Sequence, residues 1–190
     1  MLDPILLRIA KSAILAKLDA GYSFDASELG TLYPFLNEQG ACFVTLHFNK
    51  DLRGCIGSII AHKTLLEDIL DNAASAAFRD PRFSPVRVGE LDSINLEVSV
   101  LTTPEPIEYS DYDDLKLKIV PKKDGLILKA GGYQGTFLPQ VWDQLPTTEQ
   151  FLEHLAYKAG TNPSIYQQHP IIYRYRVEVI EEDFDAILPL

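Results

Sequence analysis

The chain has 190 residues, 46% of them hydrophobic and 23% charged, and carries a net charge of −10. That length and balance fit an ordinary globular domain or two small lobes. The acidity argues against a phosphate-backbone partner, and no apolar run is long enough to span a bilayer, so neither nucleic acid nor membrane is expected. Cys42 and Cys55 cannot make a disulfide framework and show no Cys-x-x-Cys spacing, which suits a reducing compartment. The start, Met1-Leu2-Asp3-Pro4, carries an acid where a secretory signal needs basic residues, and a cytoplasmic protein is expected. His47, His62, His154 and His169 are scattered without ligand spacing, so neither metal nor other cofactor is expected.

In chain order, Asp3 and Pro4 are suited to open a helix whose apolar residues, Leu6, Ile9, Ala10, Ala13 and Leu18, recur at helical spacing until Gly21. Ala41–Phe48 and Leu52–Ile60 read as two strands around the turn residues Asn49-Lys50-Asp51. Thr64 and Glu67 form a capping box for a helix ending before Asp80-Pro81, and Ile94–Leu101 alternates like a strand. The same order returns downstream. Gly125–Ala130 and Tyr133–Leu138 flank Gly131-Gly132, a pair suited to a primed hairpin turn. Thr147 and Gln150 form a second capping box for a helix that Gly160 closes, and Ile172–Val179 alternates again. Hairpin, helix, strand written twice predicts an α+β fold of two related lobes, each of mainly antiparallel strands packed with helices, a possible β-β-α-β duplication.

Leu52-Arg53-Gly54-Cys55-Ile56-Gly57 sets a cysteine between glycines and two residues after an arginine. Alternation puts Arg53 and Cys55 on one face of the strand, and a neighbouring cation favours the thiolate. Matching the apolar sets of the paired strands adds Thr45 and His47 to that face, and Asn95, Glu97 and Ser99 if Ile94–Leu101 joins the sheet. A thiol with an imidazole and an acid is the general pattern of an activated nucleophile, and Gly54 and Gly57 leave backbone N–H groups open to an oxyanion. The same residues also fit an Arg53–Glu97 ion pair on a half-solvated sheet, with His47 incidental. Arg79-Asp80-Pro81-Arg82-Phe83 fits an anion-binding turn or a self-satisfied salt-bridged one. Gly131–Gly135 fits a hairpin turn better than a phosphate loop, since no Lys-Ser/Thr follows it.

Leu52–Gly57, then Ala77–Phe83, Val98–Thr102 and Leu138-Pro139-Gln140-Val141, in this order and spacing, resemble the AMMECR family. The resemblance runs from about Ala41 to Tyr175 and assigns the recurring Arg-Gly-Cys-Ile-Gly to Arg53–Gly57, an acid and an arginine to Asp80 and Arg82, and a Leu-Pro-Gln/Glu to Leu138–Gln140. It implies two related α+β units with both termini on one lobe, and a grouping with Memo-type and radical SAM proteins as partners. The expected division, within a single domain over 1–190, is a sublobe over 41–106 carrying the Arg-Gly-Cys-Ile-Gly strand and another, 1–40 plus 107–190, carrying both termini. Two functions fit. One is an enzyme using Cys55 as nucleophile in a cleft between lobes, with Arg53 and His47 in catalytic roles and Gly54, Gly57, Glu97, Ser99, Asp80, Arg82 and Gln140 in binding ones. The other is a non-catalytic binding or scaffold module for a protein partner or small ligand.

Overall fold

A computed structural model describes all 190 residues. In chain order the elements are α1 (Ile5–Leu18), α2 (Leu29–Leu32), β1 (Gln39–Phe48), β2 (Asp51–Gly57), β3 (Lys63–Thr64), α3 (Leu65–Phe78), β4 (Ile94–Leu101), β5 (Glu105–Pro106), α4 (Tyr112–Lys118), β6 (Gly125–Ala130), β7 (Tyr133–Phe137), α5 (Thr148–Lys158), β8 (Ile171–Tyr175) and β9 (Val177–Asp183). They fall into two compact units: unit 1 is Met1–Leu101 with Glu178–Leu190, and unit 2 is Thr102–Val177. Helices packed with antiparallel sheets make the fold α+β. No helix is long and apolar enough to cross a membrane.

Unit 1 holds a sheet ordered β2-β1-β4-β9, with β3 pairing β1. Asn49 and Lys50 close the β1–β2 hairpin, both at positive φ (49° and 73°), the condition for a tight two-residue turn that keeps the right-handed twist. Val44, Leu46, Leu96 and Val98 turn to one face and are fully buried. That face is covered by α3, with α1 against α3 and β4. The α3 capping box forms as its sequence predicts: Thr64 Oγ1 accepts from Glu67 N–H at 3.3 Å, and Glu67 returns to Thr64 N–H at 3.0 Å. Asp3 opens α1 by accepting from Ile5 N–H at 2.8 Å. Each large aliphatic side chain buried here contributes roughly 1.5–3 kcal/mol.

Unit 2 repeats the plan with a sheet ordered β7-β6-β8-β5, and α5 packs against β7. Its core is aromatic. Trp142 stacks on Phe151 with ring centres 3.9 Å apart, Phe137 meets Phe151 edge-on, and the Trp142 indole N–H donates to the Asp124 carbonyl at 2.8 Å. The second capping box, Thr147 with Gln150, also forms.

Two expectations are corrected. Both termini belong to the unit carrying the Arg-Gly-Cys-Ile-Gly strand, and residues 1–40 join it rather than the other lobe. The cause is α1: its apolar side completes the unit 1 core, and its polar side binds the last residues. Arg8 donates to the carbonyls of Leu188 and Pro189, the buried Lys11 to those of Phe184 and Ile187, and Ser12 Oγ accepts from Leu190 N–H. The strand expected over 172–179 is instead two, β8 and β9, in different sheets. They part at Arg176, whose N–H donates to Thr102 Oγ1 at 2.8 Å and whose Nε donates to the buried carboxylate of Asp124 at 3.1 Å.

Candidate functional site

Cys55 lies on β2, the edge strand of the unit 1 sheet. Thr45 stands opposite Cys55 on one side and opposite Glu97 on the other, so the three form one row across the sheet. Thr45 Oγ1 donates to Cys55 Sγ at 3.2 Å, and Ser99, next along the same face, donates to Glu97 at 2.9 Å. Thr45, Glu97 and Ser99 are therefore where the strand alternation predicts.

His47 and Arg53 are not where a catalytic constellation needs them. The ladder slips between Leu46 and His47, so Leu46 faces Gly54 while His47 faces Leu52. Arg53 is the extra residue of that bulge, which turns the strand and brings Leu52 round opposite His47. His47 keeps the face of Thr45 but sits one row from the thiol, opposite Leu52 and Asn95. It lines a separate groove of about 690 Å³ with Asn49, Asn95, Glu181 and Asp183. Arg53 makes neither the expected thiolate contact nor the expected pair with Glu97. Its Nε and Nη2 reach both carboxylate oxygens of Glu90 at 2.8 and 3.1 Å, and its Nη1 donates to the Ser84 carbonyl at 2.9 Å. With its side chain only 12% exposed, Arg53 staples the 84–90 segment to the strand.

The cation beside the thiol is Arg82. An edge strand turns alternate N–H and C=O groups outward, and the Asp80-Pro81-Arg82 turn takes both of those belonging to Cys55. Asp80 Oδ2 accepts Cys55 N–H at 2.9 Å, and Arg82 Nη2 donates to the Cys55 carbonyl at 3.2 Å. Asp80 also accepts from Arg82 Nε at 3.0 Å, Nη2 at 2.7 Å and the backbone N–H at 3.1 Å. These Arg82 bonds and the Cys55 amide hold the Asp80 carboxyl far below the usual carboxylate range, despite its burial. The turn is thus an internal ion pair that also clamps the cysteine backbone.

Burial pushes the Cys55 thiol above its ordinary value. The Thr45 hydroxyl and Arg82 pull it down, while Glu97 and Asp80 push it up. The balance of these contacts disfavours the thiolate, contrary to the sequence expectation. Cys42 is fully buried and raised further, by burial first and the Asp68 charge second. Its N–H donates to Asp68 at 2.9 Å and its carbonyl accepts from Asn72 at 3.1 Å.

The glycines flanking Cys55 serve packing. A β-carbon on Gly54 would overlap the Ala76 carbonyl oxygen of α3, and one on Gly57 would overlap the Phe43 ring and the Cys42 carbonyl. Gly54 lies on the helix-covered face, and the Cys55 N–H is occupied by Asp80 and so is not free for an oxyanion. Gln140 lies in a 3₁₀ turn, Pro139–Asp143, of unit 2. Sequence reasoning missed Ser84 and Glu90; the only signal for Glu90 was its place three residues after Arg87, whose N–H it accepts at 2.8 Å.

The family model for AMMECR1 matches residues 7–180. The chain belongs to the AMMECR1 family. Protein MJ0810 of Methanocaldococcus jannaschii is 43% identical over 159 residues, covering 79% of this chain and 77% of its own. A protein of Methanothermobacter thermautotrophicus is 38% identical over 184 residues, covering 94% and 93%. The crystal structure of an uncharacterised protein, PH0010 from Pyrococcus horikoshii, superposes with a TM-score of 0.75 at 35% identity, over 94% of this chain and 90% of that one. For this AMMECR1 chain the expected α+β fold and the family assignment hold together.

Proposed function

We propose that this AMMECR1 protein is a binding module whose recognition group is the Arg82 guanidinium, presented to an anionic group of a protein partner or small ligand. One observation carries the reading. A carboxylate that is itself 2% exposed fixes, through two side-chain hydrogen bonds, a guanidinium that is 54% exposed. An exposed arginine ordinarily loses conformational entropy on binding, whereas one oriented from beneath is already in place for a carboxylate or phosphate. Phe83 packs beside it, with 5.4 Å between the guanidinium carbon and the ring centre. Arg79 and Arg87 add positive charge within the same stretch of a chain whose net charge is −10. Memo-type and radical SAM proteins, which the family resemblance implies as partners, are the first to test.

The competing reading keeps Cys55 as a nucleophile, favoured by the Thr45 hydroxyl at 3.2 Å from the sulfur. A raised thiol with no imidazole in its row counts against it. The decisive comparison is rescue, in cells where loss of the protein has a measurable effect, by Cys55→Ser and by Arg82→Gln. The binding module predicts that Cys55→Ser rescues and Arg82→Gln fails while remaining folded. Failure of a folded Cys55→Ser with rescue by Arg82→Gln would reverse the assignment.

A further inference from the structure

Unit 2 contains a pocket of about 550 Å³ that has no part in the arrangement around Cys55. Three rings stand in its wall beside Ser110, Asp111, Pro163 and Gln167: the buried Tyr166, the half-buried Tyr112 with its ring centre 5.1 Å from that of Tyr166, and the exposed His169. The rings are fixed from behind. The Tyr166 hydroxyl donates to the Leu152 carbonyl, and the Tyr109 hydroxyl donates to the Pro170 carbonyl. The imidazole of His169 lies flat on Tyr109, with centres 4.2 Å apart and planes 24° from parallel. It makes no side-chain hydrogen bond within unit 2 and lines the pocket. The backbone of His169 is left-handed, φ 52° and ψ 59°, at a helix end where glycine or asparagine is usual. Such a conformation costs on the order of 1 kcal/mol for a residue with a side chain.

The charges around the pocket are unequal in their satisfaction. Lys116 pairs with Asp113 and Glu149, and Lys118 pairs with Asp114. Asp111, which lines the pocket, forms no ion pair within the unit; one of its oxygens accepts Asp114 N–H at 2.8 Å as the helix cap, and the other has no partner there. A preset imidazole face therefore lies in the same pocket as an exposed carboxylate that has no ion partner. Stacking favours a flat group, the carboxylate favours a positive one, and their combination favours a delocalised planar cation. The Tyr112 ring already accepts one cation, with Lys116 Nζ 4.9 Å from its centre.

We propose that the Tyr112–Tyr166–His169 pocket of unit 2 binds a planar delocalised cation, an amidinium, guanidinium or protonated heteroaromatic amine, stacked on His169 and paired with Asp111. The group belongs to a free small molecule or to an arginine side chain of a polypeptide, and both sources share this chemistry.

The test is calorimetric titration of the full chain with benzamidine, benzoate, tetramethylammonium and arginine amide. Benzamidine should bind saturably at one site, benzoate of nearly the same shape should not bind, and tetramethylammonium should bind at least tenfold more weakly. Arginine amide binding as tightly as benzamidine assigns the site to a polypeptide arginine; tighter benzamidine assigns it to a free aryl cation. Two variants keep the fold while removing one element each. His169→Gly suits the left-handed backbone, and Asp111→Ser preserves a capping oxygen. Each should weaken benzamidine at least tenfold. Absence of saturable benzamidine binding, equal affinity for benzoate or tetramethylammonium, or wild-type affinity in both folded variants would overturn the proposal.

Discussion

Units 1 and 2 share one strand plan and differ in what fills it. In each, a two-residue hairpin is followed by a helix and a third strand that pairs with the hairpin's first strand, giving β2-β1-β4 and β7-β6-β8. A glycine at the same place in each second strand lets the helix approach: Gly54, opposite Leu46, meets Ala76 of α3, and Gly135, opposite Leu128, meets Ala159 at the end of α5. The core of unit 1 is mostly aliphatic, with alanines on α3, whereas that of unit 2 is built around Trp142, Phe151 and Tyr166. In unit 1 a buried acid and an arginine also cap the edge strand. Topology follows from the period of the apolar residues; charged groups are then placed where one copy needs them.

The largest expected effect tests the shared glycine. Gly54→Ala drives a β-carbon into the α3 backbone and should cost about 3 kcal/mol or more, while Gly135→Ala, whose β-carbon would lie 2.7 Å from Ala159 N, should cost about 1–2 kcal/mol. Urea denaturation of the two variants measures this, and a costlier Gly135→Ala would break the equivalence.

Next comes the feature that separates the units. Asp80→Ala leaves the Cys55 amide and the Arg82 guanidinium without their acceptor and should cost about 2–4 kcal/mol. Because the folded Asp80 carboxyl lies below its ordinary value of 3.8, its stabilisation is complete above that pH and is lost as pH falls through and below it. Asp80→Asn should therefore flatten the acid limb of the stability–pH curve; an unchanged limb would show that other carboxylates set it.

Thiol chemistry should follow burial. Cys55 should alkylate at least tenfold faster than Cys42 in the native protein, and more slowly than a free thiol at the same pH. Mass spectrometry of the two single-cysteine variants decides this, and equal rates would mean that the protein opens before it reacts.

The smallest effect concerns Thr45→Val, which removes the hydroxyl donor to Cys55 at nearly constant volume. It should cost about 0.5–1 kcal/mol and raise the thiol titration further, read from thiolate absorbance. A lowered titration would show that the hydroxyl is not oriented toward sulfur.

Strands β1, β2, β4, β6 and β7 and helices α1, α3 and α5 were legible because each carries a clean period and, for α3 and α5, a capping box; the break between β8 and β9 was not, because the alternation runs across it. The helix α4 was not, since seven residues with one buried position, Leu115, give little periodicity. Thr45, Cys55 and Glu97 could be placed by alternation alone. Arg53 could not, because the bulge at that residue breaks the alternation and its partner Glu90 lies in a 3₁₀ segment, Val88–Ser93, that no apolar pattern marks. Asp80 and Arg82 were visible as a pair, yet their grip on the Cys55 backbone is a property of the strand edge, which sequence does not specify.

The bonds from Arg8, Lys11 and Ser12 to residues 184–190 also set an order of events during folding. They join positions more than 170 apart in the chain, and β9 takes its place beside β4 with the whole of unit 2 intervening in sequence. Unit 2 is contiguous, so its sheet closes from its own residues alone. Unit 1 instead keeps an uncovered β4 edge and an open α1 surface until residues 178–190 return to it across the whole of unit 2. A folding chain is thus most exposed to misassociation in the interval before that segment docks.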